Sequence, residues 1–399
     1  MADVLVVGAG AAGVACVTEL AAGGFDGSIV LAGREPDPPY ERPPISKGYL
    51  AGSLDRADVA MNVPEGVDLR VRASVMKLDL ERRIALLASK EEIPFGSLVL
   101  CTGANVRRLR VDGATLDGIH YLRALGNADA LRADLEGRSR VVLVGGSYIA
   151  CEVAATLTSL GKSCTMVMLE ELPMITSFGP VVGSWALSEL RSHGVELICG
   201  DGLAGFVGSE RVSGVVTEGG RSVDADAVVM GTGAVPDVMI ARSAGLSLGD
   251  GGGVACSSSL ETSAAGVWCA GDVCEYDSVL HGGPVRIEHW EAARAQGTHV
   301  ARAIMGFTEP FAEVPYFWTD LSDWATLEYA GISSVWAHEV VRGMPGDGPF
   351  AVLHLDDADR VVGCLSMGRG DDLAAARRLI ADRVDVAGAD LATADLSAL

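Results

Sequence analysis

Two stretches of this chain run through the same succession of residue types: an uncharged run, a glycine turn, then a helix-period pattern. In the first, Val4-Leu5-Val6-Val7 enters Gly8-Ala9-Gly10-Ala11-Ala12-Gly13, and apolar positions continue through Val14, Cys16, Val17 and Leu20. In the second, Arg140 leads into Val141-Val142-Leu143-Val144, which enters Gly145-Gly146-Ser147-Tyr148-Ile149-Ala150 and continues through Glu152, Ala154, Leu157 and Leu160. Each run reads as a buried parallel strand, and each turn opens a helix. Further strands follow at Ser28-Ile29-Val30-Leu31 and from Cys164 to Leu169. Each copy then closes on a matching strand, one ending in Thr102-Gly103-Ala104 and the other in Thr232-Gly233-Ala234. A repeated strand–turn–helix–strand unit constrains the fold far more than either copy alone. The fold class is α/β, with two Rossmann-like dinucleotide-binding domains.

The spacing G-x-G-x-x-G assigns each glycine a task. Gly8 permits the tight turn, Gly10 lets the backbone approach a pyrophosphate, and Gly13 lets the helix lie close to its strand. The helix start adds free N–H donors and partial positive charge for the phosphates. Glu35, just beyond the second strand, is the candidate partner for a ribose hydroxyl. The second fingerprint departs from this pattern. Ala150 is a permitted variant of the third glycine, but Ser147 replaces the middle one. Its side chain must point away or give its hydroxyl to the phosphate. Glu170 closes the following strand where a ribose anchor belongs, and no Lys or Arg stands between Lys162 and Arg191. A carboxylate there suits NADH and repels the 2′-phosphate of NADPH.

At 399 residues the chain is long enough for two or three domains. A formal charge of −22 argues against nucleic acid or an anionic membrane as partner. The uncharged runs are short of a membrane span, and Met1-Ala2-Asp3 leads straight into the first strand, so a soluble cytoplasmic protein is expected. Nine cysteines include no C-x-x-C and no metal-ligand spacing. The nearest pattern, Cys269-x4-Cys274, flanks Ala270-Gly271-Asp272 and reads as buried free thiols.

After the first strand–helix–strand unit comes a proline-rich loop, Pro36 to Gly48, which cannot be helical from start to finish and carries Arg42 and Lys47. Farther on, Arg286 to Gln296 is helical in composition. Pro310 and Pro315 mark a boundary, a strand-rich segment runs from Tyr316 through Cys364, and a helix spans Asp371 to Asp382. The last fifteen residues are rich in Ala and Asp, with little to bury.

Taken together, Gly8-Ala9-Gly10-Ala11-Ala12-Gly13, Tyr40-Glu41-Arg42-Pro43-Pro44-Ile45-Ser46-Lys47, Cys101-Thr102-Gly103, Ala270-Gly271-Asp272, Glu288-His289-Trp290 and Pro315-Tyr316-Phe317-Trp318-Thr319-Asp320 carry a family resemblance. Over nearly its whole length the chain resembles the FAD-dependent, nicotinamide-dependent ferredoxin reductases. Those enzymes serve bacterial cytochrome P450 and Rieske-type oxygenases and are cousins of apoptosis-inducing factor. The Arg-Pro-Pro-x-Ser-Lys loop is the most specific motif. Disulfide reductases of the same fold have a C-x4-C pair in its place, and this loop contains no cysteine.

The resemblance implies a glutathione-reductase-like arrangement: an FAD domain from residues 1–105 and 235–310, an NAD domain from 106–234, and a C-terminal α/β domain over 311–399. It implies hydride transfer from NADH to FAD, then single electrons to a [2Fe-2S] ferredoxin that supplies an oxygenase. By the same resemblance, Gly8, Gly10, Ala12, Gly13, Glu35, Arg42, Thr102, Gly103, Asp272, Trp290 and Trp318 would hold FAD. Gly145, Gly146, Ser147, Tyr148, Ile149, Glu170 and Gly233 would hold NADH, with His289 beside the nicotinamide channel. Lys47 would lie at the flavin edge and pair with Glu152 beside the nicotinamide amide. Arg286, Arg294 and Arg302, along one helical stretch, with Arg377 and Arg378, are candidates for a ferredoxin dock. No metal site is expected. Met174 and Leu321 stand where the family often has arginine and glutamine. Two other functions stay open: a flavoenzyme that reduces O2 or a quinone alone, and an FAD-binding protein with little turnover.

Overall fold

The computed structural model describes residues 1–332 and 336–399. The chain divides into two compact units. One comprises 1–41, 56–105 and 234–317; the other comprises 42–55, 106–233 and 318–399. The proline-rich loop is therefore split, with Arg42, Ser46 and Lys47 in the second unit.

In the first unit the strand Ala2–Val7 lies between Ile29–Ala32 and Glu92–Leu100, parallel to both. Val67–Arg70 extends the sheet beyond Ile29–Ala32, and Val267–Cys269 pairs in parallel with Glu92–Leu100. The sheet order thus reverses at Ala2–Val7, and the crevice at the carboxyl ends of strands on either side of such a reversal is where this fold holds ligands. The uncharged run Val4–Val7 is buried because it is central to this sheet. Helix Ala11–Ala22 follows the turn and lies against helix Trp290–Ile304. Their approach is close: a Cβ on Gly297 would stand 2.1 Å from the Ala12 carbonyl oxygen.

The second unit repeats the plan. Arg140–Val144 lies between Ser163–Val167 and Ala227–Met230, again in parallel, with Glu196–Ile198 and Ile119–Tyr121 at the edges. The bonds at the two turns match. Gly8 N–H donates to Ala32 O and Cys101 N–H to Val7 O, both at 2.8 Å. Gly145 N–H donates to Val167 O and Gly231 N–H to Val144 O, also at 2.8 Å. The C-terminal segment forms a five-stranded sheet ordered Tyr316–Leu321, Ala325–Gly331, Val361–Met367, Phe350–Leu355 and His338–Gly343, covered by helix Gly370–Asp382.

Two local expectations are corrected. Arg286 ends the strand Gly283–Arg286, and the helix begins only at Trp290, because the extended Glu288-His289 step separates them. The proline-rich loop, as expected, is not helical throughout; within it Pro43–Ser46 forms one 3-10 turn, which proline at its first position favours. The last residues do have something to bury. Val386, Leu391 and Leu396 are in the core, and the Arg342 guanidinium donates to the carbonyls of Leu391 and Ala394.

A buried imidazole in the C-terminal sheet gives a pH expectation. His354 is fully buried, its Nε2–H donates to Phe178 O at 3.2 Å, and burial pushes its pKa down to about 4. The folded state therefore holds His354 neutral, while the unfolded chain takes up a proton below about pH 6.5. Its contribution to stability is complete above that pH and is lost as pH falls toward 4, at up to about 1.4 kcal/mol per pH unit. Glu339 Oε1 lies 3.7 Å from His354, and burial raises that carboxyl, which acts in the opposite sense at the acid end. Amide-exchange protection of strand Phe350–Leu355 should drop between pH 6.5 and 5.5, after correction for intrinsic rates, and His354→Gln should flatten the drop. Equal slopes in the two proteins would refute this role.

Candidate functional site

In the first unit, two fingerprint glycines are demanded by the protein and the middle one is not. Gly8 has φ +117°, and a Cβ there would stand 2.0 Å from Cys101 O; a Cβ on Gly13 would stand 1.9 Å from Gly8 O. A Cβ on Gly10 would meet nothing within 4 Å. The chain thus leaves space at the one position where a pyrophosphate needs it. Val14 N–H bonds Gly10 O, so the N–H groups of Ala11, Ala12 and Gly13 precede the first intrahelical bond. Ala12 offers only its backbone here, since its methyl lies against Gly271 and its carbonyl against Gly297.

Glu35 is half-buried past its strand, and the Tyr40 hydroxyl donates to its Oε2 at 2.5 Å, which fixes the carboxylate. Thr102 donates its hydroxyl to Asp237 O at 2.7 Å, which uses its one side-chain donor within the protein. Asp272 follows strand Val267–Cys269 and is half-buried. Its neighbour Gly271 donates its N–H to Gln296 Oε1 at 2.7 Å.

Gln296 was missed from sequence. It is wholly buried, and its Nε2 has no hydrogen-bond partner among the described residues; the same holds for His289 Nδ1. Buried polar atoms are normally partnered, so two orphans beside the Ala270-Gly271-Asp272 segment fit a polar group that the fold is built to receive. The signal was a lone amide at a core position of helix Trp290–Ile304. Burial pushes His289 down to about 4, so it is a neutral group near pH 7. Its ring lies 4.1 Å from that of Phe317, and Trp290 opens the helix half-buried.

In the second unit, Gly145 again has φ +117°, and a Cβ there would stand 2.3 Å from Gly231 O. Ser147 starts its helix with extended backbone, like Gly10, and turns its hydroxyl to Gly231 O at 3.3 Å. The side chain is thus aimed back at the protein. Ala150 is buried, and its methyl is accommodated because residue 231 is glycine: a Cβ on Gly231 would stand 2.7 Å from the Ala150 Cβ. The first unit has the reverse assortment, with Gly13 on the helix and Cys101 after the strand. Gly146 is covered by Glu170, whose Oε2 lies 3.1 Å from where a Cβ would be, while Glu171 turns to Gly200. The adjacent acids point apart. Met174 is buried and donates its N–H to Gly146 O at 2.7 Å, so it faces the protein. Tyr148 is half-buried, while Ile149 and Gly233 are exposed.

Lys47 and Glu152 do come together, within the second unit. Lys47 Nζ lies 2.8 Å from Glu152 Oε1. Glu152 is 3% exposed, on the first turns of helix Tyr148–Ser159, and its carboxylate is further held by two hydroxyls that the sequence reading missed. Ser46 donates to Oε2 at 2.5 Å and Thr319 to Oε1 at 2.6 Å. Thr156, one turn beyond Glu152, donates to Ser46 O at 2.8 Å and fixes the loop. Thr319 is placed by strand alternation: Phe317, Thr319 and Leu321 are buried, while Tyr316, Trp318 and Asp320 are half-exposed. Leu321 therefore belongs to the core. Arg42 donates to Arg123 O at 2.5 Å.

The proposed dock arginines carry partners. Arg286 pairs with Glu288, Arg294 with Glu291 and Arg302 with Glu19, and Arg378 donates to Leu396 O. Cys269 and Cys274 are free thiols, and the fold brings Cys256 to them. Hydrogen bonds from its two neighbours hold Cys256 below the usual thiol range, while burial pushes Cys269 and Cys274 above it.

The pyridine nucleotide-disulphide oxidoreductase family matches residues 2–297, and the reductase C-terminal family matches 316–398. Rhodocoxin reductase of Rhodococcus erythropolis is 31% identical, over 98% of this chain and 92% of that protein. The anthranilate 1,2-dioxygenase system ferredoxin–NAD(+) reductase component of Burkholderia cepacia is 33% identical, over 94% and 93%. The crystal structure of the ferredoxin reductase for the CYP199A2 system of Rhodopseudomonas palustris superimposes with a TM-score of 0.93 at 30% identity, over 99% of each chain. With both family matches and these full-length likenesses, the chain belongs to the pyridine nucleotide-disulphide oxidoreductase family and carries its reductase C-terminal domain.

Proposed function

We propose that this protein is an FAD-dependent NADH:ferredoxin reductase that supplies electrons to a cytochrome P450 or Rieske-type oxygenase through a [2Fe-2S] ferredoxin. The observation that carries this reading is the Lys47–Glu152 pair, held by Ser46 and Thr319 in a loop without cysteine. A dithiol relay is absent from that loop, so electrons need an outlet other than a disulfide substrate. The full-length relatives named as ferredoxin reductases of oxygenase systems support the same outlet.

Gly8, Gly10, Gly13, Glu35, Asp272, His289 and Gln296 are the residues that would hold FAD, with the open ground at Gly10 admitting the pyrophosphate. When bound, FAD supplies a two-electron acceptor that can release electrons one at a time. The protein's part is to orient and shield. Ser46 and Thr319 fix the Glu152 carboxylate, and that carboxylate fixes the Lys47 ammonium at one point instead of letting it sweep through solvent. Gly145, Gly146 and the first turn of helix Tyr148–Ser159 would hold the NADH pyrophosphate, and Glu170 its ribose. This role belongs in the cytoplasm, where NADH is available; no helix among the described residues is long and apolar enough to cross a membrane.

The test is anaerobic bleaching of the yellow protein by NADH, followed by cytochrome c reduction with and without ferredoxin. Bleaching with ferredoxin-dependent turnover is expected. Turnover indifferent to ferredoxin would favour a solitary flavoenzyme, and no bleaching would favour a flavin protein without this activity. NADH should be preferred over NADPH by at least about tenfold in kcat/KM, about 1.4 kcal/mol. Glu170→Ala should narrow that preference and Glu171→Ala should not; a wild-type preference for NADPH would overturn the role of Glu170.

A further inference from the structure

Three thiols far apart in sequence meet in the first unit. Cys256 ends strand Val254–Cys256, Cys269 ends Val267–Cys269, and Cys274 opens Cys274–Ser278. Their Sγ atoms all lie within 4.8 Å of one another. Cys269 and Cys274 are completely buried, and Cys256 is 7% exposed. None of the three is among the residues that would hold FAD or NADH, and none contacts the Lys47–Glu152 pair, which lies in the other unit.

We propose that Cys256, Cys269 and Cys274 form a closed, three-coordinate site for a soft monovalent cation of the Cu(I) type. The choice of metal follows from the donors. Thiolate ligands select Cu(I), zinc or iron–sulfur clusters over hard cations. Structural zinc requires four ligands, and catalytic zinc completes its shell with water. Iron–sulfur clusters likewise take four protein ligands. Among the described residues no fourth Cys, His, Asp or Glu joins the group, and burial closes it to water. A d10 monovalent ion is content with three sulfurs. Each thiol that becomes a ligand thiolate releases its proton to solvent, and no electron changes hands. Cys256, the thiol nearest the surface, is the point of entry.

The experiment uses flavin-loaded protein in a Cys199→Ser background, since Cys199 is the one cysteine that is not buried. The protein is titrated anaerobically with Cu(I) against bicinchoninate as competing chelator, desalted, and analysed for copper and for sulfur-to-copper absorption in the ultraviolet. About one Cu(I) per chain should be retained. Cys256→Ser, Cys269→Ala and Cys274→Ala should each weaken retention at least roughly tenfold. Alkylation mapping on the protein with its three cysteines intact does not depend on the variants folding. After a brief denaturant pulse, Cu(I) should shield Cys256, Cys269 and Cys274 from the reagent and leave Cys16 and Cys151 unshielded. No copper retained, equal retention in all three variants, or shielding of the wrong cysteines would overturn the site. Loss of this site would leave the flavin and NADH results untouched, so the two proposals fail separately.

Discussion

Gly10→Val is expected to yield a folded but colourless protein, with FAD affinity reduced at least about a hundredfold, about 2.7 kcal/mol. The reasoning separates the ligand from the fold. A Cβ at residue 10 meets no protein atom within 4 Å, and the backbone there, at φ −90° and ψ −163°, is extended and suits a β-branched residue. The flavin-free variant should therefore unfold within about 0.5 kcal/mol of flavin-stripped wild type. What valine does occupy is the ground a pyrophosphate needs. Gly13→Ala makes the contrast: its methyl would press on Gly8 O at 1.9 Å, so both flavin and stability should suffer. Absorbance of the purified proteins and FAD titration of the stripped forms decide it. Full flavin occupancy in Gly10→Val would remove the cofactor from this turn.

The second large effect lies at Lys47 and Glu152. Removing one member of a buried ion pair costs about 3–5 kcal/mol, because the survivor is left without its partner. Here the two survivors differ. Lys47→Ala strands a carboxylate that is 3% exposed but keeps the Ser46 and Thr319 hydroxyls as donors. Glu152→Ala releases a lysine that can turn outward, its side chain being 18% exposed, but deprives two buried hydroxyls of their acceptor. We expect both singles near the low end, at about 3 kcal/mol, and the double change smaller than their sum by about 1–3 kcal/mol. Stopped-flow flavin reduction by NADH should fall at least about tenfold in each single variant and show the same non-additivity. Strict additivity in both readouts would mean that the two charges act independently.

The strand–turn–helix units were legible because their signals are local: Val4–Val7 and Val141–Val144 are uncharged runs followed at once by glycine, and the sheet buries them for that reason. The partnership of Lys47 with Glu152 was legible only through resemblance, since nothing within either segment announces the other. Ser46, Thr319 and Gln296 escaped because their roles arise from where distant segments meet, and a hydroxyl or amide looks alike in sequence whether it faces solvent or a carboxylate. The helix assigned to Arg286 failed for a related reason. Composition there is helical, but pairing with Cys274–Ser278 draws Gly283–Arg286 into a strand. Ser147 looked damaging because the motif specifies glycine for what it lacks, and only the folded turn turns its hydroxyl to Gly231 O.

The donors around Glu152 also set a timetable for synthesis. Lys47 and Ser46 leave the ribosome long before the acid they serve, and Thr319 leaves long after it. The first unit, likewise, lacks Val267–Cys269 and helix Trp290–Ile304 until about three-quarters of the chain is made, although domains normally fold as units in order of emergence. From the making of Glu152 until Thr319 is added, the nascent chain therefore carries a carboxylate destined for burial with one of its donors still unmade. A stop codon between residues 152 and 319 leaves that carboxylate incompletely held, so such truncated products should be recognised by cellular proteases as unfinished, not released as stable fragments.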